Sequence, residues 1–165
     1  MRIETERLLV KPMTFLNYKD FSEIVTDFRD GEYSKYNPPL PQTKDEIKEF
    51  FYGFLENIDT FGIYLNKEMI GLVTVTSDYD QLDIGYMFKD KYHGYGYAYE
   101  GTKAVIDLLI KQFGQFDAKI TAGVASENIP SVKLLDKLGF KCKSKEKVSF
   151  VEDFVMEGCN YVLEY

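Results

Sequence analysis

Residues 93–101 read "HGYGYAYEG". Glycine takes backbone conformations that a Cβ forbids. Glycines two residues apart therefore let several N–H groups turn into one concavity. The next residues, "TKAVIDLLIKQF", repeat apolar side chains at helical spacing. A helix opens with N–H groups that lack an intrahelical partner, and its dipole adds about half a positive charge there. The chemistry offered is anion binding, best suited to phosphate oxygens. Gly94 and Gly96 would build the turn, His93 and Tyr95 would flank it, and the helix would start at Tyr97 or Ala98. The spacing is neither GxGxxG nor GxxxxGK[ST], so the two commonest nucleotide fingerprints are excluded. The same glycines would also serve close packing, and the residues alone leave both readings open.

A phosphate turn needs a strand before it and rigid elements around it. "RLLVKPM" reads as a short strand ending at Met13, with Pro12 at an edge or bulge. "NYKDFSEIVTDF" places Phe21, Ile24, Val25 and Phe28 on one helical face. "GEYSKYNPPLPQ" reads as a loop. Thr43 and Glu46 form a capping box before a helix whose apolar stripe is Ile47, Phe50, Phe51, Phe54, Leu55 and Ile58. The period then changes to two. "FGIYLN", "MIGLVTVTS" and "LDIGYMF" read as strands, joined by a hairpin turn at Asn66–Glu68 and by the connection "SDYDQ". Within "LDIGYMF", Leu82, Ile84, Tyr86 and Phe88 share one face; Asp83, Gly85 and Met87 share the other. "AKITAGV" is bare of polar side chains, as central strands often are. Asn128 caps the helix "IPSVKLLDKL", Pro130 sits in its first turn, and Gly139 closes it in a left-handed conformation. "FKCKSKEKVSF" and "NYVLEY" supply the last strands, antiparallel across "VEDFVMEG". The order predicts a single mixed α/β domain over residues 1–165.

The formal net charge of −7 argues against a nucleic-acid binder that works by bulk phosphate attraction. It is what an acidic, well-solvated surface carries. One histidine and two cysteines, Cys142 and Cys159, lack metal-ligand spacing, which predicts no metal. The two thiols are read as reduced. The opening "MRIETERLLV" has no apolar signal core, and no apolar run reaches the roughly 20 residues that cross a bilayer. The reading is a cytoplasmic protein with no membrane partner.

With the elements in place, "YHGYGYAYEG" resembles the Gln/Arg-x-x-Gly-x-Gly/Ala motif of the GNAT superfamily of N-acetyltransferases. It is similar to the "YWGKGYATEA" form of the RimJ/RimL-type branch, which acetylates ribosomal-protein N-termini. "IETERLLVKPM", "KYNPPLPQTKDEIKEF" and "ASENIPSVKLLDKLGF" resemble further segments of that branch in the same order. The resemblance spans nearly the whole chain. It implies a central, mostly antiparallel twisted sheet with a splayed parallel strand pair and about four helices. Acetyl-CoA would lie in the gap between "LDIGYMF" and "AKITAGV".

The resemblance implies roles for particular residues. Main-chain groups near Met87 and Phe88 would pair with the pantetheine as an added strand would. N–H groups from His93, Gly94, Tyr95, Gly96, Tyr97 and Ala98 would hold the pyrophosphate. His93 stands where the family has Gln, Arg or Trp, and Tyr95 where it commonly has Lys or Arg, so one cation beside the phosphates is missing. An amine nucleophile must lose a proton first, its ordinary pKa being about 8 to 10.4. A carboxylate is therefore expected. Asp83 is the candidate, in "DIGY" where the family commonly has "EIGY". Ser131 matches the serine of Asn-x-x-Ser and would donate to the leaving thiolate, because the last helix has no tyrosine. Asn128 would cap that helix and reach the pantetheine. The aromatic second helix and the "YNPPLP" loop are read as walls of the acceptor pocket.

The acceptor stays open at this stage: a protein N-terminal α-amine, a polyamine, an amino acid and an aminoglycoside are all compatible, and so is a homodimer. The alternative to an enzyme is a GNAT-like module that holds acyl-CoA without turnover.

Overall fold

The computed structural model describes residues 1–114, 118–151 and 154–165. Its strands are β1 (Ile3–Glu4), β2 (Leu9–Pro12), β3 (Asp59–Leu65), β4 (Glu68–Asp78), β5 (Gln81–Phe88), β6 (Lys119–Ala125), β7 (Phe140–Val151) and β8 (Phe154–Leu163). Its α-helices are α1 (Tyr18–Asp30), α2 (Lys44–Asn57), α3 (Tyr97–Phe113) and α4 (Ile129–Leu138). The strands form one eight-stranded sheet in the order β1-β2-β3-β4-β5-β6-β8-β7. Every pairing is antiparallel except β5 with β6. This is the mixed α/β arrangement expected of a GNAT fold.

The sheet divides two cores. One face packs Leu82, Ile84, Phe88, Ile120 and Val124 against Val105, Ile106 and Leu109 of α3 and Leu135 of α4. The other packs Tyr64, Met69 and Leu72 against Phe21, Ile24 and Val25 of α1 and Phe51 of α2, with Met87 resting on that cluster. The alternation of β5 thus sends its even residues toward α3 and α4 and its odd residues toward α1 and α2.

Local chemistry sets the element ends. Thr43 Oγ1 accepts from the Glu46 N–H at 3.2 Å, and the Glu46 carboxylate accepts from the Thr43 N–H at 2.9 Å, the expected capping box. Asn66 and Lys67 hold φ of 48° and 74°, the left-handed pair that a tight two-residue hairpin needs. Gly139 ends α4 at φ 93°. Pro12 pairs only with Phe61 of β3 and has no partner in β1, so its missing N–H breaks no ladder.

Three expectations change. The "SDYDQ" connection shrinks to Tyr79 and Asp80, because β4 runs to Asp78 and β5 starts at Gln81. The "VEDFVMEG" segment belongs largely to the last two strands; residues 152–153 lie outside the described residues. The cysteines are not free thiols. Cys142 and Cys159 form a disulfide across β7 and β8, their Cα atoms 5.9 Å apart. Cys142 stands opposite Tyr161 and Cys159 opposite Lys145, with a bulge between Cys142 and Ser144, and the Cα separation lies within bridging range.

Candidate active site

The parallel ladder between β5 and β6 is short. It joins Gln81 to Lys119, Leu82 to Ile120 and Asp83 to Thr121, and then stops. Beyond that rung each strand keeps only its outer partner: β5 stays on β4 as far as Phe88, and β6 stays on β8 as far as Ala125. The strands splay into a V that closes at Asp83 and opens toward the start of α3.

The main-chain groups along the V follow from the register. The Lys89 N–H donates to Ile70 O at 2.9 Å, and Met87 stands opposite Leu72. Alternation in an antiparallel ladder then directs the polar groups of Met87 to β4 and those of Ile84, Tyr86 and Phe88 into the gap. Of the two residues expected beside a pantetheine, Phe88 turns its main-chain groups into the gap and Met87 turns its own toward β4. His93 Nε2 donates to Phe88 O at 2.9 Å. His93 is thus a brace between the strand end and the turn, with its ring 5.7 Å from that of Tyr33.

At the wide end the chain makes its glycine turn. Gly94 and Gly96 hold φ of 82° and 83°, where a side chain would be strained. A Cβ on Gly94 would meet nothing within 4 Å; the concavity is open. Gly96 caps α3 without a side-chain bond. The Glu100 N–H reaches Gly96 O at 3.0 Å and is the first to close the helical ladder, so the N–H groups of Tyr97, Ala98 and Tyr99 have no helical acceptor. The side chains of Tyr95 and Tyr97 stack on each other, with Tyr95 exposed.

A cavity of about 560 Å³ runs through the V. From the α3 and α4 side it is lined by Gly94, Gly96, Ala98, Asn128 and Ser131, and by Lys133 and Lys137. Asn128 Oδ1 accepts from the Ser131 N–H at 3.4 Å. Lys137 Nζ lies 4.3 Å from the ring centre of Tyr99. These two lysines, one helical turn apart, bring cations to the side where the turn lost one. Tyr86 reaches across the same side, its hydroxyl donating to Ser131 O at 3.4 Å. Burial pushes its phenol up to about 12, so it stays protonated as a donor.

From the α1 side the cavity is lined by Phe28, Tyr33, Tyr36 and Asn37. The aromatic wall thus comes from the end of α1 and the turn after it, not from α2. The phenylalanines of α2 pack into the core: Phe50, Phe51 and Phe54 surround Phe21 at centroid distances of 5.8, 5.1 and 5.4 Å. Asp83 lines the cavity at the apex of the V, on the α1 face. Thr121 Oγ1 donates to its Oδ1 at 2.9 Å. The residue keeps solvent contact at its rim, yet protein surrounds the carboxylate on its inner side. That desolvation raises its pKa, and the Thr121 hydroxyl opposes the rise.

Sequence reasoning placed Asp83, Phe88, Gly94, Gly96, Ala98, Asn128 and Ser131 in one region, and the structure gathers them around one cavity. It did not name Tyr86, Lys133, Lys137, Phe28 or Tyr33 as site residues, while the "YNPPLP" loop it read as a wall does contribute Tyr36 and Asn37. The alternation of β5 held a signal for Tyr86, and the four-residue spacing of the lysines held one for α4.

Residues 7–141 match the family described as Acetyltransferase (GNAT) domain. The chain belongs to that family. This acetyltransferase is 28% identical over 146 residues to the "Uncharacterized N-acetyltransferase YnaD" of Bacillus subtilis (strain 168), covering 86% of this chain and 83% of that protein. Its fold matches a GNAT-family acetyltransferase from Bacillus anthracis with a TM-score of 0.82 at 23% identity, over 99% and 98% of the two chains. It also matches RimL, a ribosomal L7/L12 alpha-N-protein acetyltransferase in complex with coenzyme A, with a TM-score of 0.74 at 12% identity, over 98% and 97%. The acyl donor of the GNAT acetyltransferase is acetyl-CoA. Among the described residues no group of three or more His, Cys, Asp or Glu could hold a metal, and no helix is long and apolar enough to cross a membrane.

Proposed function

We propose that this acetyltransferase moves the acetyl group of acetyl-CoA onto a primary amine by direct attack in a ternary complex. The carrying observation is the division of the cavity by the sheet. Asp83 and the aromatic wall lie on the α1 face, and the glycine turn, Asn128, Ser131 and Tyr86 lie on the α3 and α4 face. Acceptor and donor would enter from opposite faces and meet at the apex of the V.

The open concavity at Gly94 and the unpartnered N–H groups at the start of α3 fit a diphosphate. The main-chain groups of Ile84 and Tyr86 fit pantetheine amides. The carboxylate of Asp83 takes a proton from the incoming ammonium, directly or through water. The freed nitrogen attacks the thioester carbon, the N–C bond forms, the C–S bond breaks, and the proton the new amide sheds ends on the departing sulfur as free thiol. The thiolate leaves on the α4 face, where Ser131 and Tyr86 donate hydrogen bonds to it. A thiol of pKa about 8.5 is a fair leaving group, so hydrogen bonding from a phenol held near 12 suffices. Holding amine and thioester in line supplies much of the remaining acceleration.

The acceptor is a protein N-terminal α-amine, as it is for the ribosomal L7/L12 alpha-N-protein acetyltransferase RimL, or a small-molecule amine in the cytoplasm. A panel of both classes, read by release of free CoA thiol, tests the proposal. Turnover with at least one class, lost in Asp83→Asn, supports it. Tight CoA binding without thiol release from any amine overturns it in favour of an acyl-CoA-binding module.

A further inference from the structure

The glycine turn is held from outside by the N-terminal segment. Arg7 Nε and Nη2 each lie 2.7 Å from Glu100 Oε2. Arg7 Nη1 donates to Tyr95 O at 3.0 Å, and the guanidinium carbon stands 4.5 Å from the centre of the Tyr97 ring. The Arg7 N–H donates to Glu100 Oε1 at 2.9 Å, and Thr5 Oγ1 donates to the same oxygen at 2.5 Å. All three guanidinium nitrogens of a residue 93 positions from Glu100 thus engage the turn and the first turn of α3.

Two consequences follow from elementary geometry. In a trans peptide the C=O and the next N–H point in opposite directions. Fastening Tyr95 O to Arg7 therefore turns the Gly96 N–H the other way, toward the concavity. Glu100 is the fourth residue of α3. A carboxylate there suits the helix dipole but repels a diphosphate on the same N-terminus. Burial works against the charged form of Glu100, yet the bonds from Thr5 and Arg7 outweigh it and hold the pKa below its ordinary value. The group is thus ionised, and its charge needs cancelling.

We propose that Arg7 is a positioning residue of the donor site: it neutralises Glu100 and pins the Tyr95 carbonyl outward, so that the diphosphate of the acyl donor meets only N–H groups. The proposal rests on reading the glycine turn as the diphosphate site.

Titration calorimetry with CoA and with pantetheine, which lacks the diphosphate, tests it on the full chain. Arg7→Met is expected to weaken CoA binding by about tenfold, the scale of one uncompensated charge at close range, and to leave pantetheine binding unchanged. The double variant Arg7→Met/Glu100→Gln is expected to regain most of the loss, because the repulsion is gone. Arg7→Lys keeps the charge without the fork; it is expected to stay within about threefold of wild type and serves where Arg7→Met does not fold. Equal loss of CoA and pantetheine binding, or a double variant as weak as the single, would overturn the proposal and leave the diphosphate reading intact. Wild-type protein that binds CoA no better than pantetheine would overturn both.

Discussion

In the proposed mechanism Asp83 takes the proton, and its setting makes opposite demands on activity and stability. Desolvation raises its pKa, so the folded state holds the proton more tightly than the unfolded chain does. Its contribution to stability is therefore full below the ordinary carboxylate pKa and is lost as pH rises through the raised value. At neutral pH the ionised form is a cost. Asp83→Asn keeps an acceptor for Thr121 Oγ1. The variant is expected to lose roughly 10²- to 10⁴-fold in kcat/KM, the worth of a general base, while melting at the same temperature or higher at pH 7. The acidic limb of the kcat/KM profile, displaced upward from the usual aspartate range in the wild type, is expected to vanish. A pH series of initial rates beside thermal melts reads both effects.

At the scale of elements, the turn between β5 and α3 is where local strain and function meet. Gly94→Ala meets no neighbour, so its stability cost is that of a left-handed alanine, about 1–2 kcal/mol. If the turn holds the diphosphate as proposed, the strained alanine disturbs the N–H groups that bind it, and CoA binding is expected to fall further than that cost explains. Calorimetry and chemical denaturation of the same preparation separate the two.

The turn is also anchored behind. Lys89, with a side chain only 7% exposed, pairs with Glu23 and Glu68 at 3.2 and 3.3 Å, and Lys91 and the Tyr92 hydroxyl reach Glu68 at 2.8 and 2.6 Å. Hydrogen bonds from Lys91 and Tyr92, with a smaller share from Lys89, hold Glu68 down at about 2. A depressed folded pKa adds stability above the ordinary value of 4.5 and loses it as pH falls toward 2. Glu68 is 42% exposed, so the effect is modest. Glu68→Gln is expected to flatten the decline of melting temperature between pH 4.5 and 2.

At the scale of the whole molecule, the V exists because β6 follows β8 rather than β5. The β7–β8 ribbon holds β6 on its far side through Ala125↔Gly158, and the Cys142–Cys159 disulfide fastens that ribbon. The two cysteines lie 17 positions apart in sequence. A closed loop of this size is worth at most about 3 kcal/mol, and less here because the hairpin already shortens it. Dithiothreitol is expected to lower the melting temperature by a few degrees and to release two titratable thiols where the native protein shows none. Retention of both thiols in protein purified under oxidising conditions would count against the disulfide.

The elements were legible because each carries its own period and its own punctuation. The stripe Phe21, Ile24, Val25, Phe28, the Thr43–Glu46 box, and Gly139 after α4 are local facts, and local sterics enforce them. The glycine turn was legible for the same reason, since Gly94 and Gly96 take conformations that few other residues allow. What the tertiary structure alone decided is which distant groups share one space. Arg7 meets Glu100, Cys142 meets Cys159, and Tyr86 meets α4 because long-range pairing sets the register, and no period records a register. The aromatic helix shows the same limit. The stripe of α2 could face a ligand or a neighbouring helix, and only the packing of Phe21 against it settles that it faces the core.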